Sequence, residues 1–314
     1  MKKILITGAG GFVGTYLIKE LQKNADNEIF ASVYKSTSDI QGIVPQDHLK
    51  EGDLTNFNFT SSLLQATQPD VVYHLAALSV VGNSVENAVQ IMNSNTAISY
   101  NLLEAVKTST PKARIIAICS ANEYGAVKDT SRPIDESVPL RPLNPYAVSK
   151  VTQEMLALEY HLAHSLDVVI LRPFNHTGVG QTTDFVIPKI AEQFAQIEKG
   201  LLPPVIEVGN LDTIRDFTDV RDMVRAYVLA ADLGVSGEIY NIGSGTGYTI
   251  AQIIEILQSL SPSKVEIKIQ DNLVRTSDVP VLIANADKFK SLTHWQATTT
   301  IQTTISDILN YYRG

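Results

Sequence analysis

The stretch KKILITGAGGFVGTYLIKEL, residues 2–21, decides the fold. An apolar, β-branched run over 2–7 gives way to a turn carrying Gly8, Gly10, Gly11 and Gly14. Val13, Leu17 and Leu21 follow at the i, i+4, i+8 spacing of one helical face. In that order, strand, glycine turn and helix let backbone N–H groups and a helix N-terminus approach a pyrophosphate. Three glycines alone are a weak signal. Set between a strand and a helix, Gly8, Gly11 and Gly14 point to a dinucleotide site.

The same rhythm continues along the chain. NEIFASVY (27–34), DVVYHLA (70–76), ARIIAIC (113–119) and LDVVILRP (166–173) are near-continuous apolar runs, as expected of strands covered on both faces. Helical periodicity separates them; Ile98, Leu102, Ala105 and Val106, for example, share a face. This βαβ alternation predicts an α/β protein with a Rossmann-type, doubly wound parallel sheet. After residue 175 the rhythm changes, and Pro188, Pro203, Pro204 and Pro262 punctuate shorter elements. We expect a helix near 185–199, strands near 205–208 and 264–269, and a closing helix near 299–312. EIYNIGS (238–244) again reads as a buried strand. The expected organisation is a dinucleotide-binding domain over 1–175, to which elements near 212–244 return, and a smaller α/β substrate domain over most of 176–314.

Composition narrows the function classes. With 314 residues and 44% hydrophobic content, the chain can bury a large core. A formal charge of −8 and a pI near 5.3 argue against a general nucleic-acid binder, which needs a basic face. Any anionic ligand must be gripped by local cations. The single cysteine, Cys119, lies inside an apolar run, excludes an intramolecular disulfide framework and fits a reducing compartment. The opening MKKILITGAGGFVG imitates a signal peptide, but its glycines break the apolar stretch, and no run approaches the ~18 apolar residues of a membrane span. A cytoplasmic enzyme without membrane attachment is expected, and no metal.

Two further positions bear on chemistry. An NAD-preferring site usually carries an acidic residue at the end of the second strand, to accept from the ribose 2′-OH. Here Val33, Tyr34, Lys35 and Ser36 stand there, and a lysine suits a 2′-phosphate. NADP(H) is therefore favoured and NAD(H) remains possible, with Lys35 otherwise a solvated loop charge. In NPYAVSK, Tyr146 and Lys150 stand four apart at the start of a predicted helix and share a face. An ammonium beside a phenol is expected to lower the phenol pKa from about 10 and make a usable proton donor or acceptor.

With these pieces the chain resembles the extended short-chain dehydrogenase/reductase family of nucleotide-sugar enzymes. The resemblance rests on TGAGGFVG, GDLTN, YHLAA, Ser120 in SANEYG, YAVSK, and RPFN ending in Asn175. It implies a catalytic triad of Ser120, Tyr146 and Lys150. It also implies a cofactor bordered by Gly8, Gly11, Phe12, Val13, Gly14, Asp53, Leu54, Leu75, Ala76 and Ala77, with Asp53 at the adenine. RPFNHTGVGQ, FVIPKI, GNLDTIRDFTDVRD and RTSDVP look most like the GDP-sugar branch. By that likeness Asn175, Lys189, Arg215, Arg275 and Asp278 meet the sugar nucleotide, Arg275 and Arg215 as anion-gripping forks. His176 is either a ligand contact or a structural neighbour of Asn175.

SANEYG then bears on the reaction. The family's dehydratases carry Thr, an acidic residue or Ser, and Glu where this chain has Ser120, Ala121 and Asn122. Eliminating water requires a general acid on the leaving hydroxyl, which Ala121 and Asn122 cannot supply. Asn122 and Glu123 are expected beside the substrate, Glu123 on the other face if strand alternation continues. The resemblance thus implies NADPH-dependent reduction of the C4 keto group of GDP-4-keto-6-deoxy-D-mannose, giving GDP-D-rhamnose. A 4-epimerase retaining NAD, a talose-forming reductase and a non-catalytic dinucleotide sensor are the alternatives. A homodimer through helices near 87–107 and 145–164 is also implied.

Overall fold

The computed structural model describes residues 1–35, 40–79, 87–270 and 279–314. The first half runs β1 (Lys2–Thr7), α1 (Phe12–Leu21), β2 (Asn27–Val33), β3 (Leu49–Glu51), α2 (Phe57–Thr67), β4 (Val71–His74), α3 (Ala88–Ser109), β5 (Arg114–Ile118), α4 (Pro145–His164) and β6 (Val168–Pro173). The second half runs β7 (His176–Thr177), α5 (Val186–Glu198), β8 (Val205–Val208), β9 (Ile214–Asp216), β10 (Thr218–Asp219), α6 (Val220–Leu233), β11 (Ile239–Ile242), β12 (Gly247–Thr249), α7 (Ile250–Leu260), β13 (Glu266–Ile269), β14 (Val281–Leu282), α8 (Asp287–Thr293) and α9 (Ile301–Arg313).

Among the described residues, β1 to β6 and β11 form one sheet of seven strands in the order β11-β6-β5-β4-β1-β2-β3, every neighbour parallel. Alternate side chains of each strand go to opposite faces. Leu5, Val72, Ile115, Val168 and Ile170 pack under α2, α3 and α4. Ile4, Ile6, Ile116, Val169 and Leu171 pack under α1 and α6. With both faces covered, β6 is buried at all six positions, hence its sequence VVILRP, apolar except for Arg172.

The strand order reverses at β1. The chain first steps outward to β2 and β3, then returns to β4 on the other side of β1. Crossovers leave in opposite directions from that point, so a crevice opens beyond the C-terminal ends of β1 and β4, where such folds place ligands. Thr7 with Gly8 and His74 with Leu75 lead into it.

The last third builds a separate apolar cluster from α5, α7 and α9 against Ile206 and Val208 of β8. β13 pairs with β8, and a three-stranded sheet sets β9 between antiparallel β12 and parallel β14. The 238–244 run supplies β11, which joins the main sheet beside β6. The three-residue edge strand β3, of sequence LKE, carries no apolar run and was not anticipated. β5 also ends sooner than the apolar pattern, at Ile118, and the chain turns into a short 3₁₀ segment over Ala121–Tyr124.

Candidate active site

Gly8 ends β1 with φ +70, a left-handed conformation that an L side chain adopts only with strain. A Cβ there would also lie 2.8 Å from the backbone N and Cα of Ala76, which closes the turn against the end of β4. A Cβ on Gly14 would run into the backbone of Ala9, so only glycine lets α1 pack this close to the turn. Gly11 is the N-cap of α1, exposed and extended, and offers no side chain to cap the helix. The N–H groups of the first helical turn, at Phe12, Val13 and Gly14, therefore have no intrahelical partner and lie where an anion would meet them. These features fit a dinucleotide pyrophosphate. Beyond β2, Lys35 is exposed at φ +59 with Nζ 4.9 Å from the Tyr34 ring centroid. Tyr34 and, more weakly, Asp53 raise its pKa.

Asp53 and Leu54 follow β3. Asp53 Oδ1 accepts from Thr55 N and Oγ1 at 2.9 and 2.8 Å. The Leu54 side chain is buried and its carbonyl accepts from Asn101 Nδ2 at 2.9 Å. On the far side of the crevice Leu75, Ala76 and Ala77 are half-buried, and Ala76 N donates to Thr7 Oγ1 at 3.3 Å.

Ser120, Tyr146 and Lys150 come together at the end of β5. Asn144 caps α4 through Ala147 N at 2.8 Å and Pro145 opens the helix, which places Tyr146 in its first turn. Ser120 accepts from Asn122 N at 3.2 Å, and its side chain hydrogen-bonds Tyr146. Lys150, 3% exposed, donates to Ile118 O at 2.8 Å and to Gln153 Oε1 at 2.9 Å. Its ammonium is 6.0 Å from the centre of the Tyr146 ring.

One expectation is reversed here. Burial pushes the Tyr146 pKa up, and the Ser120 hydrogen bond only partly offsets it. Lys150 does not offset that rise: its ammonium stands 6.0 Å from the ring centre and hydrogen-bonds a carbonyl and an amide, not the phenol. Burial also lowers the Lys150 pKa.

Glu123 requires a second correction. It was expected beside the substrate, but it is wholly buried and folds back so that Oε1 accepts from Ser120 N at 2.8 Å. The chain has already turned into the 3₁₀ segment, and the side chain is directed inward, to Ser120 N and toward Arg172 and Glu154. Asn122 is half-buried on that turn.

Three buried arrangements behind the site were not anticipated. His74 Nδ1 is 3.0 Å from Thr7 Oγ1 and its Nε2 is 3.3 Å from Ser99 Oγ, spanning β1, β4 and α3. Asn95 holds Leu78 at both backbone atoms and donates to Ser149 Oγ at 2.9 Å; Ser149 in turn donates to Tyr146 O at 2.7 Å. Arg172 donates to both oxygens of Glu154, at 2.8 and 2.6 Å, and to Tyr124 OH at 2.9 Å. A lone histidine or arginine in an apolar run was the available signal for the first and third, whereas Asn95, among Asn93, Ser94 and Thr96, carried none.

Asn175 is half-buried just past β6, and its carbonyl accepts from Thr218 N at 2.9 Å. The His176 ring lies nearly parallel to Phe12, 7° apart with centroids at 6.4 Å, so the exit of β6 meets the glycine turn. Lys189 is exposed on the first turn of α5. Arg215 is half-buried on β9 and donates to Ile214 O at 2.9 Å. Next to it, buried Asp216 accepts from Ser244 N, Gly245 N and Ala284 N, tying β9 to two loops. Arg275 and Asp278 lie outside the described residues.

A parallel sheet that reverses at a glycine turn, with Ser120, Tyr146 and Lys150 gathered beside the reversal, defines an oxidoreductase of the short-chain dehydrogenase/reductase fold. More narrowly, the chain belongs to the GDP-mannose 4,6 dehydratase family, which matches residues 5–308. It is 33% identical over 287 residues to a GDP-6-deoxy-D-talose 4-dehydrogenase of Aggregatibacter actinomycetemcomitans, covering 91% of this chain and 89% of that protein. It is 30% identical over 309 residues to the GDP-6-deoxy-D-mannose reductase of Pseudomonas aeruginosa, covering 98% and 96%. The structure of RMD from Pseudomonas aeruginosa complexed with NADPH superposes with a TM-score of 0.88 at 30% identity, covering 100% of this chain and 99% of that one. No described helix is long and apolar enough to cross a membrane.

Proposed function

We propose that the protein reduces the C4 keto group of GDP-4-keto-6-deoxy-D-mannose to GDP-D-rhamnose, using NADPH, in the cytoplasm. The observation that carries the choice of reduction over dehydration is the carboxylate of the 120–124 turn. It belongs to Glu123, is fully buried and is bonded to Ser120 N. No acid on that turn is free to protonate a leaving hydroxyl, as elimination requires. Two relatives named for GDP-6-deoxyhexoses support the substrate class, and a structural neighbour complexed with NADPH supports the cofactor.

When bound, the reduced dinucleotide supplies the hydride that the carbonyl carbon receives. Tyr146 gives its proton to the oxygen as charge develops there. The raised phenol pKa suits this direction, since it keeps the donor protonated throughout the neutral range. Ser120 holds the carbonyl oxygen by hydrogen bonding, stabilising negative charge in a pocket that excludes water. Lys150, fixed between Ile118 O and Gln153, orients the nicotinamide ribose and the phenol together. Gly8, Gly11, Phe12, Val13 and Gly14 would hold the pyrophosphate, Asp53 the adenine, and Lys35 a 2′-phosphate. Asn175, Lys189 and Arg215 would face the GDP sugar, with its diphosphate neutralised by the two cations.

The two GDP-sugar relatives are named for products that differ at C4, so the face of the sugar offered to hydride is the open choice between them. Incubation with GDP-mannose, a GDP-mannose dehydratase and NADPH, followed by sugar analysis, tests the proposal. Rhamnose is expected. Talose would correct the stereochemistry, and unchanged NADPH would overturn the assignment.

A further inference from the structure

Next to Ser120 lies a cluster of buried side chains to which the mechanism above gives no step. It comprises Cys119 at 2% exposure, Glu123 and Glu154 at 0%, and Arg172 at 4%. Ligand atoms of Cys119, Glu123 and Glu154 lie within 4.8 Å of one another, a spacing that a cation could span. The Arg172 guanidinium already fills that role, since it grips Glu154 with two parallel hydrogen bonds of 2.8 and 2.6 Å. Its third nitrogen donates to Tyr124 OH, which donates to Asn241 Oδ1 at 2.7 Å.

This arrangement leaves Glu123 in an unusual position. Oε1 accepts the Ser120 N–H, while Oε2 stands 3.8 Å from Arg172 Nε and receives no hydrogen bond from any described residue. Arg172 directs that N–H to Glu154 instead. The nearby Lys150 ammonium is likewise directed elsewhere, to Ile118 O and Gln153. An ionised Glu123 would therefore set a second carboxylate against one satisfied guanidinium, away from water, with one oxygen lacking a donor. A proton on Oε2, facing Glu154, removes that conflict.

We propose that Glu123 is a positioning residue for the reaction, an uncharged carboxyl group that fixes Ser120 from behind. Accepting the Ser120 N–H locks the residue at the end of β5, and with it the direction of the hydroxyl shared with Tyr146. Neutrality matters because negative charge develops on the far side of Ser120 during reduction. A buried carboxylate there would oppose that charge and would hold the Tyr146 proton more tightly. Burial, and then Glu154, push the Glu123 pKa well above the carboxylate range, in agreement with the geometry. The inference rests on the reductase reading for its kinetic part alone.

The test compares wild type with Glu123→Gln and Glu123→Leu in the full chain, using the GDP-4-keto-6-deoxy sugar and NADPH. Glutamine keeps a neutral acceptor for Ser120 N and is expected to preserve turnover within about threefold. Leucine leaves that N–H unpaired and is expected to lower kcat roughly ten- to a hundredfold, with both KM values little changed. Wild-type turnover in Glu123→Leu would overturn the positioning role. Equal damage by Gln and Leu would overturn the neutral state. Infrared difference spectra of the resting protein, wild type minus Glu123→Gln at neutral pH, add a readout independent of substrate and of the folding of the leucine variant. A carboxylic-acid carbonyl band from Glu123 is expected, and a carboxylate pair instead would overturn the proposal. If wild type turns over no keto-sugar nucleotide while that band is present, the reductase reading fails and the neutral carboxyl stands.

Discussion

The stability of this fold should fall in mildly acidic solution because of one side chain beneath the cofactor crevice. His74 is 2% exposed, held between Thr7 and Ser99. Burial first, then the Lys150 charge, lowers its pKa to about 3. In the unfolded chain the same imidazole titrates near 6.5. Between those values the unfolded state binds a proton that the native state refuses, so stability drops as pH falls below about 6.5. Going from pH 7.5 to 5.5 protonates about nine-tenths of the unfolded imidazole and almost none of the native one. The resulting loss is about 1.4 kcal/mol from this residue. His176, whose pKa burial also lowers, adds a loss of the same sign. Glu123, whose pKa burial and then Glu154 raise, takes up its proton in the folded state before the unfolded state does and so acts in the opposite direction, and the wild-type curve alone does not isolate His74. The assay is urea unfolding at the two pH values for wild type and His74→Gln, whose amide still reaches Thr7 and Ser99 but does not titrate. The variant should be weaker at pH 7.5, and its loss on acidification should be smaller than that of wild type by about 1.4 kcal/mol. Identical losses in the two proteins would refute the assignment of the proton to His74.

Other consequences concern catalysis, cofactor choice and assembly. Tyr146→Phe should lower kcat by roughly 10²–10⁴, about 3–5 kcal/mol of barrier, in steady-state assays with little effect on NADPH binding. Near-wild-type turnover would remove Tyr146 from the proton-donor role. Lys35→Ala should raise the KM for NADPH while leaving that for NADH unchanged, since only the former carries a 2′-phosphate; an equal change in both would make Lys35 a plain surface charge. We propose that α3 and α4 pair two copies of the chain, because Tyr100, Val148 and Met155 lie exposed along them at 48%, 39% and 47%. Light scattering should give a dimer for wild type and a monomer for Val148→Glu with Met155→Glu, and a wild-type monomer would end that proposal.

What could be read from residues alone was local. The β1 turn and α1 were legible because Gly8, Gly11, Gly14 and the Val13, Leu17, Leu21 stripe all act within one turn or two of chain. β6 and β11 were legible because burial on both faces demands a mostly apolar run, which Arg172 and Asn241 interrupt once each. Long-range effects were not. Glu123 was expected beside the substrate, but the backbone turns into a 3₁₀ segment before it arrives and buries the carboxyl group against Ser120 N. The direction of the Tyr146 shift depends on how deeply the phenol is buried and how far Lys150 stands from it, neither of which a four-residue spacing contains. The Glu154 and Arg172 pair joins a helix to a strand and could be recognised only once they packed together.

Hydride delivery to C4 of a GDP-linked 4-keto sugar can be followed with NADPH deuterated at the transferable C4 position of nicotinamide, by locating deuterium in the product with NMR. One deuteron at C4 of the 6-deoxyhexose is expected for every NADPH oxidised. Turnover of a sugar nucleotide without deuterium in the product, on a cofactor that stays bound and unconsumed, would contradict it and define an epimerase.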